Sequence, residues 1–443
     1  MDIRENSSEN NSLYRPEAVP NHTDEIIPQE PKELEETGIP REDLEDLVLR
    51  TACTVRGFTI EWVAKQVGLS LRIVNGLVER LQDVAAVEIV GQAGTLSFNM
   101  RVTDRGRRRG AEAMRASGYL GPAPVTVEDY AKMLEAQLAR MPKIEQAEVS
   151  KAIDELVLPP NVVEVAGLAR SSGRSLFLWG PPGNGKTSVG HLVHKAVKGD
   201  LWIPYCLGVG RDIIKLFDPQ CHQVVEDGSN SGNGLRFDRR WVKIRRPFVV
   251  VAGELRIEAL DLAFHPVLRY YEAPMHLKAN GGTFLIDDFG CQRADPLEIL
   301  HRWVLPLERH VDYLTLQTGQ QVPVPFKQML ILSTNLDPEE IMDAAFLRRM
   351  GYRLYLGYMS PDQYAQIFKR YAAGLGLAVP EGMLEGLFSR YNEEGRPLRG
   401  SEPRDLIERC RDICNYRNQS VHLSEDLLNT AWRGYFGEKG VAR

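Results

Sequence analysis

From residue 41 to residue 117 apolar side chains recur at helical spacing. Leu44, Leu47, Val48 and Ala52 make one stripe over 41–55. A second helix over 59–67 starts at the cap Thr59 and ends at Gly68; a third, 71–81, starts after Ser70 and carries Ile73, Val74, Leu77 and Leu81 on one face. The period then changes to two. Segments 87–90 and 95–100 alternate around the glycines of 91–94, as a hairpin does, and Thr103 opens a further helix to 117. A Pro-Gly break at 121–124 precedes one long helix over 125–148, in register through Tyr130, Met133, Leu134, Leu138 and Met141. Next come short apolar runs at 176–179, 202–207, 247–253, 283–286 and 329–334. Strands without alternation are buried on both faces, which predicts a parallel sheet covered by helices. Stretch 208–245 reads as polar loop with a glycine-rich excursion at 228–234, and 312–325 alternates around Gly319 as a second hairpin. Four amphipathic helices, 361–373, 381–392, 403–416 and 424–435, end the chain; the first opens with a Ser360-Pro-Asp-Gln363 capping box. The expected class is α/β: a parallel-sheet core at 150–358 with an α-helical lid at 359–443, preceded by a small α+β domain at 41–118 and a linker helix within 119–149.

Composition changes this picture in one place. The 443 residues carry a formal charge of −6. Residues 1–40 hold ten acidic and three basic residues, a net of −7, so the remainder is close to neutral. With many Pro, Asn and Ser and few apolar residues, 1–40 is expected to be a disordered acidic tail. Six scattered cysteines with no C-x-x-C pair indicate free thiols rather than zinc or disulfides. The N-terminus lacks the apolar core of a secretory signal and no run approaches a membrane span, so a cytoplasmic protein is expected.

The chemistry is concentrated after the first core strand. Gly180-Pro181-Pro182-Gly183-Asn184-Gly185-Lys186-Thr187-Ser188 follows an apolar run and opens a helix. Glycines let the backbone curl so that its N–H groups converge on phosphate, and the helix N-terminus adds positive potential. Lys186 can reach the β- and γ-phosphates, and the Thr187 hydroxyl can ligate Mg²⁺. Segment 156–168 is expected to wall the base pocket. The run 283–286 ends in Asp287 and Asp288: the first suited to hold Mg²⁺, the second to orient or deprotonate an attacking water. The strand 328–335 ends in Asn335, placed to bond a γ-phosphate or that water. Arg348 and Arg349 follow, then Arg404 at the start of a lid helix.

In this order the motifs resemble those of AAA+ ATPases, across residues 150–415. The resemblance implies that Lys186 and Thr187 belong to Walker A, Asp287 and Asp288 to Walker B, Asn335 to sensor 1, Arg349 (or else Arg348) to an arginine finger acting on a neighbouring subunit, and Arg404 to sensor 2. It implies ATP and Mg²⁺ as ligands and a homo-oligomeric ring, most simply a hexamer. Asp288 departs from the usual Glu by one methylene, which leaves slow turnover or a nucleotide switch open. The hairpin at 312–325 resembles the pre-sensor-1 insertion of MoxR-like ATPases, so the implied work is remodelling a protein client. Segments 238–241 and 245–247, with Tyr270 and Tyr271, resemble those of little-characterised bacterial AAA+ proteins, in which the tyrosines would be pore aromatics or packing residues. Residues 41–118 resemble a winged-helix module, which docks on proteins or binds DNA; Arg72, Asn75 and Arg80 lie on its candidate recognition helix, and Arg101, Arg105, Arg107, Arg108, Arg109 and Arg115 near its wing.

Overall fold

The computed structural model describes residues 26–92, 98–142, 144–154, 156–225, 237–341 and 344–437. Residues 1–25, residues 93–94 of the 91–94 turn and the 228–234 excursion therefore lie outside the described residues.

The expected α/β core is present. Five parallel strands lie in the order Tyr352–Tyr355, Leu176–Trp179, Met329–Thr334, Thr283–Ile286 and Phe248–Val251. Alternate residues of each strand enter two cores. Phe177, Phe284, Ile286, Leu330 and Leu332 pack under helix Pro296–Arg309 through Trp303. Leu176, Leu178, Leu285, Met329 and Ile331 pack under helices Pro160–Ser172 and Lys186–Lys195. Both faces are covered, which is why these runs do not alternate in sequence.

The lid is four helices, Pro361–Gly374, Met383–Glu393, Glu402–Tyr416 and Glu425–Phe436, around Tyr364, Phe368, Tyr391, Cys410 and Trp432. The capping box forms: the Ser360 side chain accepts from the Gln363 amide and the Gln363 side chain takes the Ser360 N–H. Helices Arg41–Ala52, Ile60–Val67, Leu71–Asp83 and Asp104–Ala116 form the N-terminal domain with the antiparallel pair Val87–Gln92 and Phe98–Val102. Thr59, Ser70 and Thr103 cap its helices as expected.

Four expectations are corrected. The run 202–207 is not in the central sheet: Asp200–Pro204 pairs antiparallel with Trp241–Arg245, and Cys206–Val209 joins a separate mixed sheet with Asp212–Lys215, Tyr270–Glu272, Ala263–His265 and Val125–Thr126. These strands and the hairpin Val311–Thr315/Gln321–Pro325 share one further core, so the supposed polar loop at 208–245 is largely part of a β-rich unit. The linker is not a free helix either. Val127–Arg140 packs Tyr130 and Leu134 into that unit, and a second helix, Gln146–Ile153, follows separately. Residues 26–40 of the acidic segment are ordered. Gln29 bridges to Phe237, Thr37 is fully buried, and Ile39 joins the N-terminal core. The Ile39 anchor, the buried Thr37 and the backbone bridge at Gln29 outweigh composition there. Tyr271, finally, is buried and its hydroxyl accepts from the Gln317 amide, while Tyr270 packs edge-on against Tyr119, so both are packing residues.

Behind the central sheet His194 stacks on Phe248 and meets the Thr283 hydroxyl through Nδ1 at 3.0 Å. Burial, with the charges of Arg170, Arg246 and His191, draws its pKa from 6.5 down to about 4. Between those values the unfolded chain takes a proton that the folded chain refuses. The contribution of neutral His194 is therefore full above pH 6.5 and is lost as pH falls toward 4. Thermal melts should drop through this window, and His194→Gln should flatten the slope; an unchanged slope would show that His194 is not the group responsible.

Candidate functional site: a cleft between core and lid

The putting-together of the site begins at the carboxyl ends of the parallel strands, where open α/β sheets hold their ligands. Strand Leu176–Trp179 ends at Gly180, and helix Lys186–Lys195 begins after Gly185. Gly183 and Gly185 have φ of +83° and +86°, a conformation that side chains disfavour. A Cβ at Gly180 would lie 2.3 Å from the Leu356 carbonyl, so the loop cannot carry a side chain there.

Five charged or polar side chains meet at this loop. Lys186 Nζ donates to the Gly180 and Pro181 carbonyls at 2.8 and 3.0 Å and to Asn335 Oδ1 at 2.7 Å. Asn335 Nδ2 donates to Asp288 Oδ1 at 2.9 Å. The Thr187 hydroxyl donates to Asp287 Oδ2 at 2.7 Å. Three adjacent strands and the helix thus bring residues 100 to 149 positions apart into two linked contacts. Burial lowers the Lys186 pKa, and Asp288 and Asp287 oppose that shift. Asp288 is held in the left-handed region, φ +47°, uncommon for a residue with a side chain. Gln292 fixes that bend by donating to the Asp287 and Asp288 carbonyls and accepting from the Gly290 amide.

The lid closes over this group. Gly400 N–H donates to Asn184 Oδ1 at 3.1 Å, and Ser401 N–H donates to the Gly183 carbonyl at 2.8 Å. The result is a cleft of about 700 Å³. Pro182 to Ser188, Asp287, Asp288 and Asn335 line one side, Leu156 to Leu158 another, and Arg404 the lid. Gly180 and Pro181 lie behind it and serve through their carbonyls. Arg404 bonds its neighbour Asp405 and stays largely exposed. The base-pocket wall is narrower than expected: only 156–158 line the cleft, while 160–172 is helix.

Arg348 and Arg349 are not part of this cleft. They line a separate cavity of about 510 Å³ with Arg174, Lys327 and Gln328, and Arg349 is paired with Glu308 at 2.6 Å. Sequence reasoning also missed residues. Met359, Ile367, Arg370 and Tyr371 line the cleft from the lid, and Arg370 donates to the Asp154 carbonyl at 2.9 Å. On a helix with an exposed side, one arginine carries no signal that separates it from a solvated face.

The cleft suits a nucleoside triphosphate with a hard divalent cation. The loop offers converging amides and an ammonium, and Thr187 and Asp287 offer two oxygens side by side, the donor type Mg²⁺ prefers. Among the described residues no cluster of three or more His, Cys, Asp or Glu side chains that could hold a metal forms. No described helix is long and apolar enough to cross a membrane.

A family model described as a domain of unknown function (DUF8689) matches residues 360–434, the lid. No curated protein matches the chain. Among solved structures, the chain resembles RuvB of Thermotoga maritima, described as a Holliday junction branch migration motor, at 15% identity and a TM-score of 0.35 over 66% of this chain and 72% of that one. It also resembles NtrX of Brucella abortus, solved with ATP, at 13% identity and a TM-score of 0.39 over 73% of this chain and 63% of that one.

Proposed function

We propose that the chain is a Mg²⁺-dependent AAA+ ATPase that works as a homo-oligomeric ring and remodels a protein client. The observation that carries this is the pair of linked contacts in one lidded cleft, Lys186–Asn335–Asp288 beside Thr187–Asp287. Lys186 and the loop amides would hold the β- and γ-phosphates. Thr187 and Asp287 would hold Mg²⁺, which supplies charge neutralisation on the phosphate oxygens. Asp288 and Asn335 share a hydrogen bond at the point an attacking water would occupy, with Asp288 as its acceptor. Arg404 and Arg370 reach the cleft from the lid, so occupancy of the cleft would be felt as lid position.

The ring reading is supported by where Arg349 lies. It lines a separate basic cavity outside its own cleft, which is compatible with a role at a different protomer's nucleotide rather than at its own. Arg349→Ala should lower kcat by about a thousandfold, the scale of a lost arginine finger, while leaving nucleotide binding intact. Retained hydrolysis would remove Arg349 from this role and move attention to Arg348.

For the N-terminal module, protein docking is the better supported use of a winged-helix arrangement. Arg72 is paired with Glu33, Arg101 with Glu88, and Arg109 with Glu45 and Asp46, so three of the eight arginines named for DNA already have acidic partners.

A further inference from the structure

The segment Arg245-Arg246-Pro247, which the nucleotide site does not use, carries a second kind of chemistry. Arg246 sits just ahead of strand Phe248–Val251, at the end of the central sheet opposite the nucleotide cleft. Its Nε and Nη1 are shut off from solvent and have no hydrogen-bond partner among the described residues. Arg170, in the last turn of helix Pro160–Ser172, is 8% exposed; its Nε is likewise without a partner, and its Nη1 meets only the Met329 sulfur at 3.6 Å. Met329, Thr283 and Phe248 are register neighbours at the starts of three adjacent strands. Arg170 rests on the first of them, and His194 on the other two. Two guanidiniums and an imidazole therefore converge under one end of the sheet.

Among the described residues neither arginine bonds a carboxylate. Arg170 is brought down to about 10 by burial, and Arg246 to about 9 by burial and then by the charge of Arg170. Buried charges are held in proteins by pairing, and buried N–H groups left without an acceptor are rare enough to call for an ion or water. Two such cations under the same end of the sheet, with three orphaned N–H positions in all, call for an anion. A planar guanidinium presents parallel donors to oxygen rather than to a spherical ion.

We propose that Arg170 and Arg246 form an oxyanion site, for inorganic phosphate or its like, at the end of the sheet remote from the nucleotide cleft. It stands independently of the nucleotide reading. The test is thermal melting of the full chain with added inorganic phosphate at constant ionic strength. Mg²⁺ and a non-hydrolysable ATP analogue are present throughout to occupy the phosphate loop. A saturable rise in Tm of about 2 °C or more is expected, as for any ligand of the folded state alone. Arg246→Gln should abolish it. Arg170→Met, which removes one cation at similar volume, should melt at or above the unsubstituted chain when phosphate is absent. A rise matched by chloride, a rise that persists in Arg246→Gln, or an Arg170→Met variant that melts well below the unsubstituted chain would overturn the site.

Discussion

Lys186→Ala is expected to abolish ATP hydrolysis to within background, a loss of at least about a hundredfold in kcat/KM, the scale of removing one preorganised charge-stabilising donor. The reason is geometric. The ammonium lies within 3.0 Å of two loop carbonyls and of Asn335, so it fixes the loop and touches the acceptor network of Asp288 at once. Removing it leaves the Gly180 and Pro181 carbonyls and Asn335 Oδ1 without their donor as well as depriving phosphate of a charge. Lys186→Arg should not rescue, because a planar fork cannot reproduce three bonds radiating from one nitrogen. Steady-state hydrolysis with a fluorescent-nucleotide binding assay separates lost binding from lost chemistry. Near-normal turnover in Lys186→Ala would remove the cleft as the site of hydrolysis.

Asp238→Ala is expected to be the most damaging change away from the cleft. Asp238 and Arg240 have side chains only 2% and 5% exposed. Arg240 donates twice to Asp238 at 2.8 and 3.0 Å and, through Nη1, to the Thr37 and Pro124 carbonyls at 3.2 Å each. Asp238 in turn donates its backbone N–H to the Pro28 carbonyl. This one pair ties residues 28–37 to the start of the β-rich unit at Pro124. Breaking it by removing the acid strands a buried guanidinium, at about 3–5 kcal/mol. Hydrogen exchange should show residues 26–40 and 119–126 losing protection first. Replacing both partners by apolar residues should recover much of the loss, because the cost lies in the unpaired charge. Unchanged exchange in Asp238→Ala would show that the segment is held by its apolar anchors alone.

The cleft was largely legible in advance because its signals are local. A glycine-rich loop needs its glycines at fixed spacing, and an apolar strand ending in two carboxylates, or in Asn335, announces itself in consecutive residues. Helix caps were legible for the same reason: Thr59, Ser70 and Ser360 each act within three residues. What local pattern could not carry was the partner of a strand. The run 202–207 is as apolar as 283–286, and nothing in it says that its partner is 241–245 rather than a core strand. Arg370 and Gln292 were missed likewise, since their roles depend on what the lid and the sheet bring near them.

Sequence by itself therefore determined the glycine-rich loop, the acidic strand end, the polar strand end, the helical lid and the α/β class, each set by residues adjacent in the chain. Tertiary structure alone decided that Lys186, Asn335 and Asp288 share one hydrogen-bonded line, that Arg349 lies outside its own cleft, that residues 26–40 of the acidic segment are ordered, and that Arg170 and Arg246 lie under one end of the sheet with no carboxylate partner among the described residues. Such arrangements follow from which distant segments exclude water together, and burial of that kind is a property of the folded surface rather than of any stretch of chain.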